Sequence, residues 1–181
     1  GTSSQRRQVQ LQQVRPDLKV NDLRGNINTR LAKCQAGEFD AIILACAGLE
    51  RLGLADRIGS ELKPPHWWPA VAQGAIAVES LAAKPEITAL LSVLNDRPTE
   101  LRVRAERAMN KTLHGSCHVP VAAYAEIHGD AMRLTGWVGD AANIRSISAS
   151  AEGVAREPEA LGQKVADMLF AQGAAELLNF Q

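Results

Sequence analysis

The stretch VPVAAYAEIHGDAMRLTGWVGD (119–140) decides the fold of the C-terminal half of the chain. Val119, Val121, Ala123, Ala125 and Ile127 alternate with more polar neighbours, the period of a strand that buries one face. Turn signals at Gly129-Asp130 and Gly139-Asp140 separate two further strands, so the spacing predicts a three-stranded antiparallel meander. Upstream, Thr99 can cap a helix that turns Leu101, Ala105, Ala108, Met109 and Leu113 inward. Downstream, Pro158 opens a last helix in its favoured first-turn position and turns in Leu161, Val165, Met168 and Leu169. Residues 97–181 are therefore expected to form an α+β domain.

Towards the N-terminus the pattern changes. DAIILAC (40–46) is apolar at successive positions, as in a strand covered on both faces of a parallel sheet. Leu18–Leu23 reads as a second strand. Between the two, Asn26 or Asn28 caps a helix with Ile27, Leu31 and Cys34 on one face, closed by Gly37. The connection is long enough for the right-handed crossover that parallel strands require, which predicts an α/β, periplasmic-binding-protein-like domain within 1–68. A helix from Ser4 to about Val14 precedes it, stopped ahead of Pro16. The Pro- and Trp-rich run 63–69 leads into residues 69–96, where the apolar run Ala75–Val78 and a short helix around 86–94 read as elements of another packing unit. The opening Gly1-Thr2-Ser3-Ser4 is a turn entering a helix N-cap, as expected of a piece of a longer chain.

Composition narrows the function. The chain has 181 residues, 46% hydrophobic and 22% charged, with Lys+Arg 20 against Asp+Glu 20. Such a chain folds without disulfides, and its zero formal charge argues against disorder and against nucleic acid as a partner. The longest apolar stretch, Ala41–Leu49, falls well short of the ~20 residues that span a bilayer, so no membrane partner is expected and a cytoplasmic location is the default. Cys34, Cys46 and Cys117 form no CxxC pair, and neither a disulfide framework nor a metal site is indicated.

The placement of arginine carries more information. Residues 1–60 hold nine Lys and Arg against six acids. Arg6 and Arg7 sit in the first turn of one helix and Arg30 in the first turn of the next, where about half a positive charge already stands and a cation costs up to ~1 kcal/mol unless an anion offsets it. Arg24 ends one strand and Arg51 follows the next. In a parallel sheet these five share the edge where ligands bind. Guanidiniums, free N–H groups at helix starts and the hydroxyls of Thr2, Ser3 and Ser4 suit a ligand with several carboxylates or phosphates. The alternative is a set of surface ion pairs with Asp22, Glu50 and Asp56. Cys34 and Cys46 read as small core residues, whereas Cys117, in a Gly-Ser loop between histidines, reads either as a nucleophile or attachment point or as an inert loop thiol. Trp67 and Trp68 read as interdomain packing.

Six segments in order, GTSSQRR (1–7), RGNINTR (24–30), DAIILACAGLERLGL (40–54), PAVAQGA (69–75), ERAMN (106–110) and LHGSCHVPVAAYA (113–125), resemble the porphobilinogen deaminase (hydroxymethylbilane synthase) family. The resemblance extends to about residue 138. It implies a three-domain transferase of tetrapyrrole (heme) biosynthesis that condenses four porphobilinogen units with release of ammonia, primed by a dipyrromethane cofactor held through a thioether. By the same resemblance Cys117 is the attachment point; Arg6, Arg7, Arg24, Arg30, Thr2 and Ser4 hold the cofactor; and Arg51, Arg24 and Arg30 hold the substrate. The family's proton-handling aspartate precedes the segment that matches Gly1, so no catalytic residue is assigned within this chain. Residues 69–96 then correspond to a linker and the return segment of the family's first domain. The chain alone is expected to be incomplete, and the complete enzyme to be a monomer, with the remaining part present in the same or a separate chain. Ala72 departs from the family's PAVGQGA. A different class, a non-enzymatic dicarboxylate receptor or regulator domain, would share the arginine rim without covalent chemistry at Cys117.

Overall fold

The computed structural model describes residues 1–114 and 119–178. The meander is present: β1 (Val121–His128), β2 (Ala131–Asp140) and β3 (Arg145–Val154) form an antiparallel sheet in the order β1-β2-β3. Val121 pairs with Val138 and Ala131 with Val154, so alternation in β1 and β2 sends Val121, Ala123, Ala125, Met132, Leu134 and Val138 to one face. Two long helices cover that face, α5 (Arg97–Thr112) and α6 (Pro158–Ala171), followed by the short α7 (Ala174–Leu177). Their buried residues include Ala105, Met109, Leu161, Val165 and Leu169. Met168 does not join them; it is 37% exposed, one step off the inward stripe.

Two boundaries differ from the sequence reading. Helix α5 starts earlier, at Arg97, because the Asp96 carboxylate accepts the N–H of Thr99 (2.9 Å) and acts as the cap assigned to Thr99. The second turn lies at 141–144 rather than at Gly139-Asp140. Gly139 is glycine for a different reason: a Cβ there would run into the Trp137 ring. Asp140 remains in the strand and accepts the N–H groups of Ala142 (2.9 Å) and Asn143 (3.2 Å), folding the turn from its side chain.

In the N-terminal part the helices form where expected: α1 (Gln5–Val14), and α2 (Ile27–Gln35) with the Asn26 side chain accepting from the N–H of Thr29. Among the described residues no parallel ladder runs through 18–24 or 40–45. The segment 1–3 bonds to both: the Thr2 N–H donates to Asn21 O (2.9 Å), the Ile43 N–H to Gly1 O (3.2 Å) and the Gly1 amine to Ala41 O (2.7 Å). Thr2 thus makes one backbone bond to 18–24, and Gly1 makes two to 40–45. Ile42, Ile43 and Leu44 are accordingly half-buried rather than covered on both faces, and Cys46 opens a helix, α3 (Cys46–Arg51), instead of ending a strand. The segment 75–94, including α4 (Pro85–Leu91), leaves Ile76, Leu81, Leu90 and Val93 exposed.

Helix α1 docks on the uncovered face of the sheet. Val9 is buried with Ala122 and Trp137, and Trp68 packs against them, consistent with the packing role read for the tryptophan pair. Beside this cluster the Gln13 amide donates to Ser146 Oγ (3.0 Å) in β3. No helix among the described residues is long and apolar enough to cross a membrane.

Candidate anion-binding site

Helix α1 presents Arg6 and Arg7 from its first turn, and no acidic residue stands there with them. Arg6 is 7% exposed and donates from Nη1 to Trp68 O (2.6 Å). Burial, with the charge of Arg7 adding to it, holds its guanidinium down to about 10. Arg7 donates from Nη1 to Ile43 O (2.7 Å) and is pushed in the same direction by burial and then by the charge of Arg30. Arg30 Nε donates to Gly25 O (2.7 Å) and Arg51 Nη2 to Gly74 O (2.5 Å). A carbonyl engages one donor of a guanidinium and leaves the charge and the other N–H groups available.

The surface-pair alternative is not what forms. Among the described residues the side-chain ion pairs are Arg15–Asp17, Lys63–Glu61, Arg97–Glu100, Arg104–Glu100, Arg104–Glu159 and Arg145–Asp140, and none includes the five arginines of the expected rim. Arg6 and Arg7 line an open cleft of about 300 Å³ together with Cys46, Lys63 and Gly74. Arg30 is near enough to Arg7 to act on its charge, and Arg51 reaches the cleft through Gly74. Arg24 is exposed, and neither it nor Arg30 nor Arg51 lines the cleft, so of the five predicted rim members Arg6 and Arg7 face it directly.

The hydroxyls serve the frame. Thr2 is 2% exposed and its Oγ1 accepts the N–H of Ser4 (3.2 Å), which shapes the entry to α1. Ser3 Oγ bridges the N–H and the carbonyl of Leu23 (both 3.0 Å). Ser4 holds the N-cap position without a side-chain cap bond. Cys117 lies outside the described residues; α5 ends at Thr112 and β1 begins at Val121 on either side of it.

Three residues escaped the sequence reading. Cys46 is not a core thiol: it is half-buried in the wall of the cleft, and its α3 N-terminal position was hidden by reading 40–46 as one strand. Lys63 also lines the cleft, signalled only by its place at the start of the Pro-Trp run. Glu106 is 7% exposed; its Oε2 accepts the N–H of Ala72 (2.7 Å) and its Oε1 the N–H of Ala125 (3.0 Å). Burial raises its carboxyl to about 7, against the opposite pull of those two N–H groups and of the Arg102 charge. Its neighbours Ala105 and Met109 on the inward stripe were the available signal.

Comparison with known proteins agrees with this chemistry. Residues 1–89 match the family model described as porphobilinogen deaminase, dipyromethane cofactor binding domain, and residues 100–171 match porphobilinogen deaminase, C-terminal domain. A curated porphobilinogen deaminase of Stenotrophomonas maltophilia is 58% identical over 179 residues, 99% of this chain and 59% of that protein. One of Xanthomonas euvesicatoria is 57% identical over 178 residues, 98% of this chain and 59% of its own length. The chain thus spans about three-fifths of the curated relatives it matches. These relatives lend no support to a receptor.

Proposed function

The chain belongs to the porphobilinogen deaminase family, and from that premise we propose that it forms the polycarboxylate-binding and cofactor-bearing part of a hydroxymethylbilane synthase. The observation that carries this reading is the pair Arg6 and Arg7 lining one cleft, with Arg51 bonded to its wall at Gly74 and Arg30 acting on the charge of Arg7, all with carbonyl partners and no acidic ones. A dipyrromethane, with its acetate and propionate arms, is a ligand whose charge such a donor set complements. Arg6, Arg7 and Arg30 would hold those arms, with Thr2 and Ser4 setting the start of α1 beneath them and Cys117 as the tether. Arg51 and Arg24 would receive the carboxylates of incoming porphobilinogen. When bound, the cofactor supplies the terminal pyrrole carbon at which condensation begins.

The protein's own contribution is positional and electrostatic. Fixed guanidiniums in a partly desolvated cleft orient a polyanion and offset the charge of its carboxylates, without reorganising as the reaction proceeds. The assignment includes no proton-transfer residue. In domain terms, 1–68 would bind the carboxylates, 69–96 would link and pack elsewhere through its exposed apolar side chains, and 97–181 would carry the cofactor loop.

An intact-mass measurement with an Ehrlich colour test checks the tether: the protein should carry a dipyrrole that is lost in Cys117→Ser. Arg51→Leu, which removes a charge-assisted contact of ~1.5–3 kcal/mol, should weaken porphobilinogen binding about tenfold or more in calorimetry. A protein without adduct that binds simple dicarboxylates reversibly would overturn the proposal in favour of a receptor.

A further inference from the structure

The segment 69–75 forms one wall of the cleft, yet its own conformation is set from the other side. Gln73 N–H donates to Ala70 O and Ala75 N–H to Ala72 O, a tight double turn with Ala72 at φ +58° and Gly74 at φ +86°. A non-glycine residue in that region costs energy and persists only where the surroundings hold it there. The Glu106 carboxylate is what holds it, reaching from α5 to bind the Ala72 N–H with one oxygen and the Ala125 N–H of β1 with the other. Two residues further on, Gly74 O receives Arg51.

We propose that Glu106 is a proton-operated positioning residue: its carboxylate clamps Ala72 to Ala125 and thereby sets the carbonyl ledge at Gly74, in the cleft wall, on which Arg51 rests. A carboxylate accepts both N–H groups, whereas a protonated carboxyl keeps one good acceptor and turns its hydroxyl into a donor facing an N–H. Protonation therefore releases one side of the clamp. The burial that raises the Glu106 carboxyl puts this change close to neutral pH. A hollow of about 590 Å³ beside the carboxyl is lined by the other charged and titratable groups that face it: Arg102 from α5, Tyr124 and Glu126 from β1, and Lys63 from the segment leading into the linker. Arg102 is the one whose charge acts on Glu106, favouring the carboxylate. The clamp does not depend on which anion the cleft takes.

Amide shifts of Ala72, Gly74 and Ala125, followed by NMR against pH on the whole chain, test this. Ala72 and Ala125 should share one inflection near pH 7, with Gly74 following at the same midpoint. Glu106→Gln, which keeps an acceptor but no titration, should abolish it at all three. Arg102→Gln, on a partly exposed face, should move the shared midpoint to higher pH, and it decides alone if Glu106→Gln fails to fold. Unequal midpoints, an inflection that survives Glu106→Gln, or a midpoint unmoved by Arg102→Gln would overturn the proposal.

Discussion

Ala72 occupies backbone space that disfavours a Cβ, at φ +58°. The left-handed conformation costs an L-residue roughly 1–2 kcal/mol, and glycine would give back about 0.5–1 kcal/mol through its freer unfolded chain. Ala72→Gly should therefore stabilise the protein by about 0.5–1 kcal/mol, read as a higher midpoint in urea; a lower midpoint would show that the turn is not strained. The departure from the family's glycine noted in the sequence is thus a local cost that Glu106 offsets. At this scale the arginines were legible, because cations in a helix first turn break an electrostatic rule visible in the chain itself. Glu106 was not: its partners lie 34 and 19 residues away, and no spacing rule joins them.

Between elements, the tightest restriction is the crossing of α5 and α6. A Cβ on Gly162 would strike the Ala105 carbonyl and come within 2.7 Å of Ala108 Cβ and 2.8 Å of the Met109 nitrogen. Backbone cannot move aside as a flexible side chain can. Gly162→Ala should force the helices apart and destabilise by about 1–3 kcal/mol, the range for overpacked cores, despite the better helix propensity of alanine. Chemical denaturation with an unchanged m-value would check it; a stabilised variant would show that the helices can slide. Helices α1, α2, α5 and α6 and the meander were readable from period and capping, whereas among the described residues no ladder runs through 18–23 or 40–46. An apolar run specifies extended, buried backbone only when neighbouring strands supply partners.

Across the whole molecule, the N-terminal part is held to the C-terminal sheet by a small apolar cluster, Val9, Ala122 and Trp137, supplemented by the bond from the Gln13 amide to Ser146 Oγ (3.0 Å). The core under α5 and α6 is separate and larger. Trp137→Ala should consequently cost about 3–5 kcal/mol at the docking face, with α1 amides losing exchange protection while those of Leu134 and Val165 remain slow. Equal loss throughout would mean that the two parts unfold as one.

The sequence by itself determined helices α1, α2, α5 and α6, the antiparallel sheet and the surplus of arginine near the N-terminus, because hydrophobic period, capping chemistry and helix-end electrostatics act over a few residues. Only the tertiary structure decided which arginines meet, that carbonyls rather than carboxylates receive them, and that a buried glutamate holds the wall beside them. Those outcomes depend on contacts between residues far apart in the chain, where the geometry of packing, not local preference, selects the partner.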